Sequence, residues 1–153
     1  MSEIRRILDQ FDRAFSGEAW HGPSLQQLLD GVSAEDASQH SVANAHSIWE
    51  IANHIAAWHT IVQHRLSGEN VEVTTEIDWP PVWETTEVTW ERSLDHLVES
   101  RARLRKAVEN YHDERLEEMP KGQKDSRYSM LHGLIQHDLY HAGQIAVLKK
   151  ALQ

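Results

Sequence analysis

Apolar residues recur at spacings of three and four along four long stretches of the chain. This period places them on one face of an α-helix. A short amphipathic turn with Leu25, Leu28 and Leu29 follows the first stretch and ends at Gly31. The pattern predicts an all-α protein with four long helices. They run from about Glu3 to Phe15, from Ser47 to Leu66, from roughly Thr89 to Tyr111, and from about Ser129 to Ala151.

The longest connection, residues 68–84, lies between the second and third long helices. It is polar, and Pro80 and Pro81 exclude helix there. Because the connection is longer than a hairpin loop needs, it predicts a crossover along the molecule. We therefore expect a four-helix bundle with an up-down-down-up path. No internal repeat or shift in composition divides the chain, which predicts a single domain over residues 1–153.

Composition narrows the functional classes. The formal net charge is −9, so a phosphate backbone would repel the chain unless a basic patch were present. Arg101, Arg103, Arg105 and Lys106 scatter around one helix, and we expect no nucleic-acid partner. No stretch approaches the roughly 18 apolar residues of a membrane span, and the N-terminus lacks the apolar core of a signal peptide. The chain has no cysteine, which excludes disulfides and thiolate ligands and fits a cytoplasmic protein.

Histidine is the chemistry-bearing residue that stands out, with eleven copies in the chain. Only His137 and His141 are four residues apart, which leaves their side chains about 40° apart on one helix face. Two imidazoles at this spacing can reach one metal ion. His54, His59 and His64 are spaced by five, so they point in three directions and cannot form a site together.

The position of each histidine relative to the apolar face of its helix indicates a third candidate ligand. On the fourth helix one stripe faces the core, and His54 lies on the apolar side of the second helix, whereas His59 falls nearer the edge and His64 turns away. Three core-facing imidazoles are costly unless something polar satisfies them. We therefore predict a divalent metal site formed by His54, His137 and His141. For any one of them taken alone, a hydrogen-bonded histidine in the core is the alternative explanation. The predicted stripe of the fourth helix is Met130, Leu134, His137, His141, Gln144 and Leu148.

Two motifs, SIWEIANHIAAW and HDLYHAGQIAVLKK, resemble the DinB/YfiT-like superfamily. That superfamily includes bacillithiol and mycothiol transferases and a mycothiol-dependent maleylpyruvate isomerase. Its ligand histidines match His54, His137 and His141 here, and AWHGPSL, AHSIWE and DWPPVW extend the resemblance along the chain. The resemblance implies the up-down-down-up bundle, a Zn²⁺ or Ni²⁺ ion and a homodimer. It implies no single reaction, because the family is functionally mixed.

An ion with three imidazole ligands keeps a position open, as catalytic sites do. It can activate water or an incoming thiolate, and a thiol would have to come from a small molecule. Glu50 is a tentative catalytic residue that orients a ligand, acts as a base, or simply begins its helix. Gln144 is the other; it donates to bound water or substrate, or makes a buried interhelical hydrogen bond.

These observations predict a metal-dependent thiol S-transferase or hydrolase acting on a small electrophilic substrate. A non-catalytic metal-binding or stress-response protein is the alternative, and a histidine-rich interaction module without metal is a third. Trp49 points away from the apolar stripe of its helix. Because an exposed tryptophan is typical of interfaces, it predicts an anchor for the homodimer.

Overall fold

Helices form the architecture of the computed structural model, which describes residues 2–153. Across those residues no strand occurs, and the only β-type pairing is an isolated bridge between Ala19 and Gly22. A single 3-10 turn covers Asp113–Arg115. The α-helices of the described residues are α1 (Glu3–Phe15), α2 (Leu25–Leu29), α3 (Ala34–Ser38), α4 (Ile48–Leu66), α5 (Thr75–Asp78), α6 (Glu87–Glu109) and α7 (Arg127–Ala151). The prediction of an all-α protein is therefore confirmed.

Hydroxyl side chains begin all four long helices. Each N-cap side chain accepts a hydrogen bond from the backbone N–H three residues later, which satisfies one of the amides left free in a first turn. The caps are Ser2, Ser47, Thr86 and Ser126. They explain why α6 and α7 each begin two residues before the predicted start, since the apolar period alone does not detect a polar first turn.

The crossover between α4 and α6 contains one more helix than the sequence predicted. Thr74 caps the four-residue helix α5, which ends at Asp78 just before Trp79 and Pro80. The prolines exclude helix at their own positions, but one turn fits ahead of them. The expectation of no helix in this connection was therefore wrong for Thr75–Asp78.

Helix α4 lies at the centre of the packing and contacts both α6 and α7. Trp49 is consequently buried, with 2% of its surface exposed. Its indole N–H donates to Ser93 Oγ at 2.8 Å, and its ring packs against Trp90 of α6. The expected role of Trp49 as an interface anchor is therefore wrong, because a helix covered on several sides buries positions outside its main stripe.

Contacts between helix ends give their relative directions. Trp49, in the first turn of α4, contacts Ser93, in the second turn of α6, so the N-terminal parts of these helices lie together. Asp12, near the end of α1, pairs with Arg105 near the end of α6, and the backbone N–H of Glu3 donates to Asp113 beyond that end. Helices α4 and α6 thus run in one direction, and α1 runs opposite to α6.

Two apolar clusters fill the interior. One gathers Trp49, Trp90 and Leu97 with the small helices, and the other gathers Ile7, Leu104 and their neighbours. The structure contains no helix among residues 2–153 with the length and apolar character needed to cross a membrane.

Candidate metal centre

His54 of α4 meets His137 and His141 of α7 where these two helices pack together. One ring nitrogen of each histidine lies within 4.8 Å of the other two. The Nε2 atoms of His54 and His137 are 2.9 Å apart. His54 and His141 are buried and His137 is half-buried. The structure thus brings together the three histidines that the sequence selected.

The outer nitrogen of each histidine faces an oxygen acceptor. His54 Nδ1 donates to the backbone carbonyl of Asp78 at 2.6 Å, and His141 Nδ1 donates to Gln144 Oε1 at 2.6 Å. His137 Nδ1 lies 3.6 Å from Asp138 Oδ1. A proton held on Nδ1 leaves the Nε2 lone pair free, which is the tautomer that binds a metal through Nε2.

Burial favours the neutral form of His54 and His141. Desolvation lowers the pKa of His54 below its ordinary value, although its hydrogen bond to the Asp78 backbone opposes this shift. Desolvation also lowers the pKa of His141 to about 4, against the opposing hydrogen bond to Gln144. Since neutral imidazole is the ligating form, the donor set fits a divalent cation at neutral pH.

The crossover forms one wall of the site. The Trp79 ring stacks on His54 at 3.8 Å between centroids and on His46 at 3.6 Å. Asp78 Oδ1 accepts a hydrogen bond from the Trp58 indole at 2.8 Å. Asp78 and Trp79 were not predicted to lie at this site, because periodicity cannot place a loop. The DWPPVW motif was the one sequence feature that pointed to this segment.

A buried histidine–carboxylate hydrogen bond lies behind the three histidines. His59 Nε2 donates to Asp138 Oδ2 at 2.8 Å, with 0% of His59 and 2% of Asp138 exposed. Burial alone would raise the pKa of Asp138, but His59 and His137 lower it below its ordinary value overall. His59 was expected near the edge of the apolar face; it is in the core because α1 covers it with Phe11 and Phe15.

The buried face of α7 is also rotated from the predicted stripe. Met130, His137 and Gln144 are only half-buried. The buried positions outside the predicted stripe include Leu131, Ile135, Asp138, Ala142 and Ile145. His137 therefore lies at the margin of the core, where a ligand can approach, and His64 lies away from the cluster, paired with Glu69.

The two tentative catalytic residues occupy different surroundings. Gln144 contacts His141 directly. Glu50 Oε2 instead accepts from the backbone N–H of Ser47 at 2.8 Å and contacts His40 and His46. Burial would raise the pKa of Glu50, but these hydrogen bonds lower it. Glu50 thus completes the capping box at the start of α4.

Two cavities flank the cluster along α4 and α7. One, of about 530 Å³, is lined by His46, Tyr140 and Gln144 among others. The other, of about 310 Å³, is lined by His137, Trp58 and Arg65 among others. A side chain with an exposed phenol, Tyr140, borders the first cavity and packs edge-on against His141.

Comparison with known proteins gives a family match. The family model described as the DinB superfamily matches residues 19–145, a range that includes all three clustered histidines. Neither the curated proteins nor the solved structures gave a match to the chain.

Proposed function

The chain belongs to the DinB superfamily, and we propose that it is a metal-dependent enzyme of that family. His54, His137 and His141 would hold one divalent ion, Zn²⁺ or Ni²⁺. The observation that carries the proposal is the convergence of three imidazoles, two of them with the Nδ1 proton already bound by an oxygen acceptor. When bound, such an ion supplies a Lewis acid with an open position.

The surrounding residues prepare this site. Asp78, Gln144 and Asp138 hold or face the outer nitrogens, so the rings keep their orientation when the inner nitrogens are engaged. Trp79 covers His54 and limits the access of water. In this proposal these four residues position the histidine rings and do not take part in the reaction.

Thiol S-transfer onto a small electrophile is the reaction we favour. A transferase must bind two substrates; one cavity is lined by His137, and the other is lined by Gln144, which contacts His141. A hydrolase would need a dedicated base, but the carboxylate of Glu50 is engaged in the cap of α4. Hydrolysis remains the second candidate, and a non-catalytic metal-binding or stress-response role is the alternative if the open position takes no substrate.

The test is a panel of low-molecular-weight thiols against a generic electrophile such as 1-chloro-2,4-dinitrobenzene, with and without Zn²⁺ or Ni²⁺. We expect metal-dependent conjugation with at least one thiol, and its loss in His137→Ala. Turnover of an ester with no thiol present would favour the hydrolase. Equal rates for wild type and His137→Ala with every thiol would contradict the transferase.

The arrangement of the long helices belongs to the same proposal. We infer that α1, α4, α6 and α7 form the up-down-down-up bundle, because α4 and α6 run in one direction and α1 runs opposite to α6. The side chains of His132, in the second turn of α7, and Glu3, in the first turn of α1, approach to 3.7 Å, which supports this arrangement.

A homodimer also stays a proposal, without Trp49 as its anchor; sedimentation at micromolar concentration tests it.

A further inference from the structure

Arg65 is a charged residue near the candidate metal centre that has no carboxylate partner among the described residues. It lies in the last turn of α4 and is half-buried. Among residues 2–153 no carboxylate lies within 4.0 Å of its guanidinium, and its buried Nε atom has no hydrogen-bond partner. Desolvation lowers the pKa of Arg65, but an arginine remains charged at neutral pH. Among the described residues, Nε is the only buried unpaired atom of this guanidinium, so its two terminal nitrogens remain accessible to an anionic ligand.

This cation lines the same cavity as His137. The cavity has about 310 Å³ and apolar walls from Trp58, Val62 and Met130 among others. The Arg65 guanidinium lies 5.6 Å from the centre of the Trp58 ring. This cation–π contact orients the guanidinium without neutralising its charge. An apolar pocket with one oriented charge is the usual form of a small-molecule site.

We propose that this cavity binds the carboxylate of a small anionic substrate through Arg65 and holds the apolar part of that substrate against Trp58. The guanidinium fork matches a carboxylate with two parallel hydrogen bonds. A single positive charge suits a monoanion, whereas a phosphate dianion would call for a second cation. Asp125 also lines the cavity, but it is exposed to solvent and forms no ion pair with Arg65.

This subsite rests on the proposed function, because the bound carboxylate is assigned to one of the two reactants of the proposed transferase. Binding at Arg65 does not itself require the metal. The two ideas can therefore fail separately, provided that the subsite is measured by binding and not by turnover.

The experiment compares 3-phenylpropanoate with its neutral isostere 3-phenylpropanamide. Binding to the full-length chain is measured by calorimetry after chelator treatment, so that neither probe ligates a metal. We expect the carboxylate to bind at least about 10-fold more tightly than the amide, as charge-assisted hydrogen bonds allow. Arg65→Gln should abolish that preference, and Arg65→Lys should retain part of it. Arg92→Gln, which removes an exposed arginine of α6, is the matched control and should keep the preference in full.

Equal binding of the two probes by the wild-type chain would overturn the subsite, as would a preserved preference in Arg65→Gln. Melting curves of the variants check that they are folded, and Arg65→Lys keeps the test valid if Arg65→Gln unfolds. A carboxylate preference lost in Arg65→Gln would support the subsite even if the thiol panel showed no conjugation. In that case only the proposed reaction would fail.

Discussion

Asp138 lies directly behind His137, with its Oδ1 atom 3.6 Å from the Nδ1 atom of that ring. Neither atom has a hydrogen-bond partner among residues 2–153. The other carboxylate oxygen is fixed by His59 at 2.8 Å. A metal bound to Nε2 of His137 would leave a proton on Nδ1, which is the donor that Asp138 Oδ1 lacks. We therefore expect the carboxylate and the ion to stabilise each other through this ring.

Replacing the carboxylate tests that relationship. Asp138→Asn removes the charge and should weaken metal binding by roughly 10- to 100-fold, the usual effect of losing an outer hydrogen-bond partner. Competition with a chromogenic chelator measures the dissociation constant. Leu131→Ala, a buried substitution on the same helix, controls for general destabilisation and should leave the affinity near the wild-type value. Wild-type affinity in Asp138→Asn would show that the carboxylate does not support the ligand.

Substitutions of Gln144 and Glu50 should affect different properties, metal affinity for Gln144 and the free energy of unfolding for Glu50. Gln144→Ala frees His141 Nδ1 and should weaken metal binding by about 10-fold. Glu50→Ala removes one arm of the capping box and should cost about 1 kcal/mol of unfolding free energy, with little change in metal affinity. Chelator competition and urea unfolding of both variants measure these effects. The reverse pattern, with metal lost only in Glu50→Ala, would move Glu50 into the site.

The lowered pKa of His141 predicts how stability depends on pH. In the metal-free folded protein the pKa of His141 is about 4 because the ring is buried, against 6.5 for an ordinary histidine. Between these values the unfolded chain binds more protons, so the free energy of unfolding falls as pH drops from about 6.5 towards 4. The full shift corresponds to about 3 kcal/mol, and His54 acts in the same direction.

Urea unfolding of the chelated protein at pH 7.5, 5.5 and 4.5 measures this dependence. His141→Gln removes one titrating ring and should flatten the curve. Identical curves for wild type and His141→Gln would rule out His141 as a source of the pH dependence.

Metal removal should lower the melting temperature and leave the helices intact. An ion that binds only the folded chain contributes about 2.7 kcal/mol at a free concentration 100 times its dissociation constant. The two apolar clusters do not depend on it, since they are formed by leucine, isoleucine and aromatic side chains. Circular dichroism during a thermal scan, with and without chelator, checks this. Loss of the helical signal on chelation at 25 °C would mark the ion as structural and weaken the enzyme proposal.

The sequence predicted the long helices and the grouping of His54, His137 and His141, because both follow from helical periodicity. It did not predict the depth of burial of Trp49 or His59. Their burial depends on how many neighbours cover α4, and a single helix wheel carries no information about that. The wall formed by Asp78 and Trp79 was missed for a related reason. A connection has no period, so only tertiary packing places it.

Asp138 illustrates the same limit at the site. The helical spacing of His137 and His141 gave no reason to assign a role to Asp138, which follows His137 in the chain. The rotation of the buried face of α7 places it in the core, 2.8 Å from a histidine of another helix. Pairing of two buried polar residues across helices becomes visible only when the crossing of α4 and α7 is known.

The metal content of the chain tests the central claim most directly. The protein should be purified without an affinity tag or nickel resin and analysed by mass spectrometry of the bound elements. We predict roughly one divalent ion per chain, as expected of a site with three imidazole ligands. His54→Ala, His137→Ala and His141→Ala should each lose most of it, while His64→Ala and His112→Ala should keep it. Full metal content in the first three variants would contradict the assignment of the site.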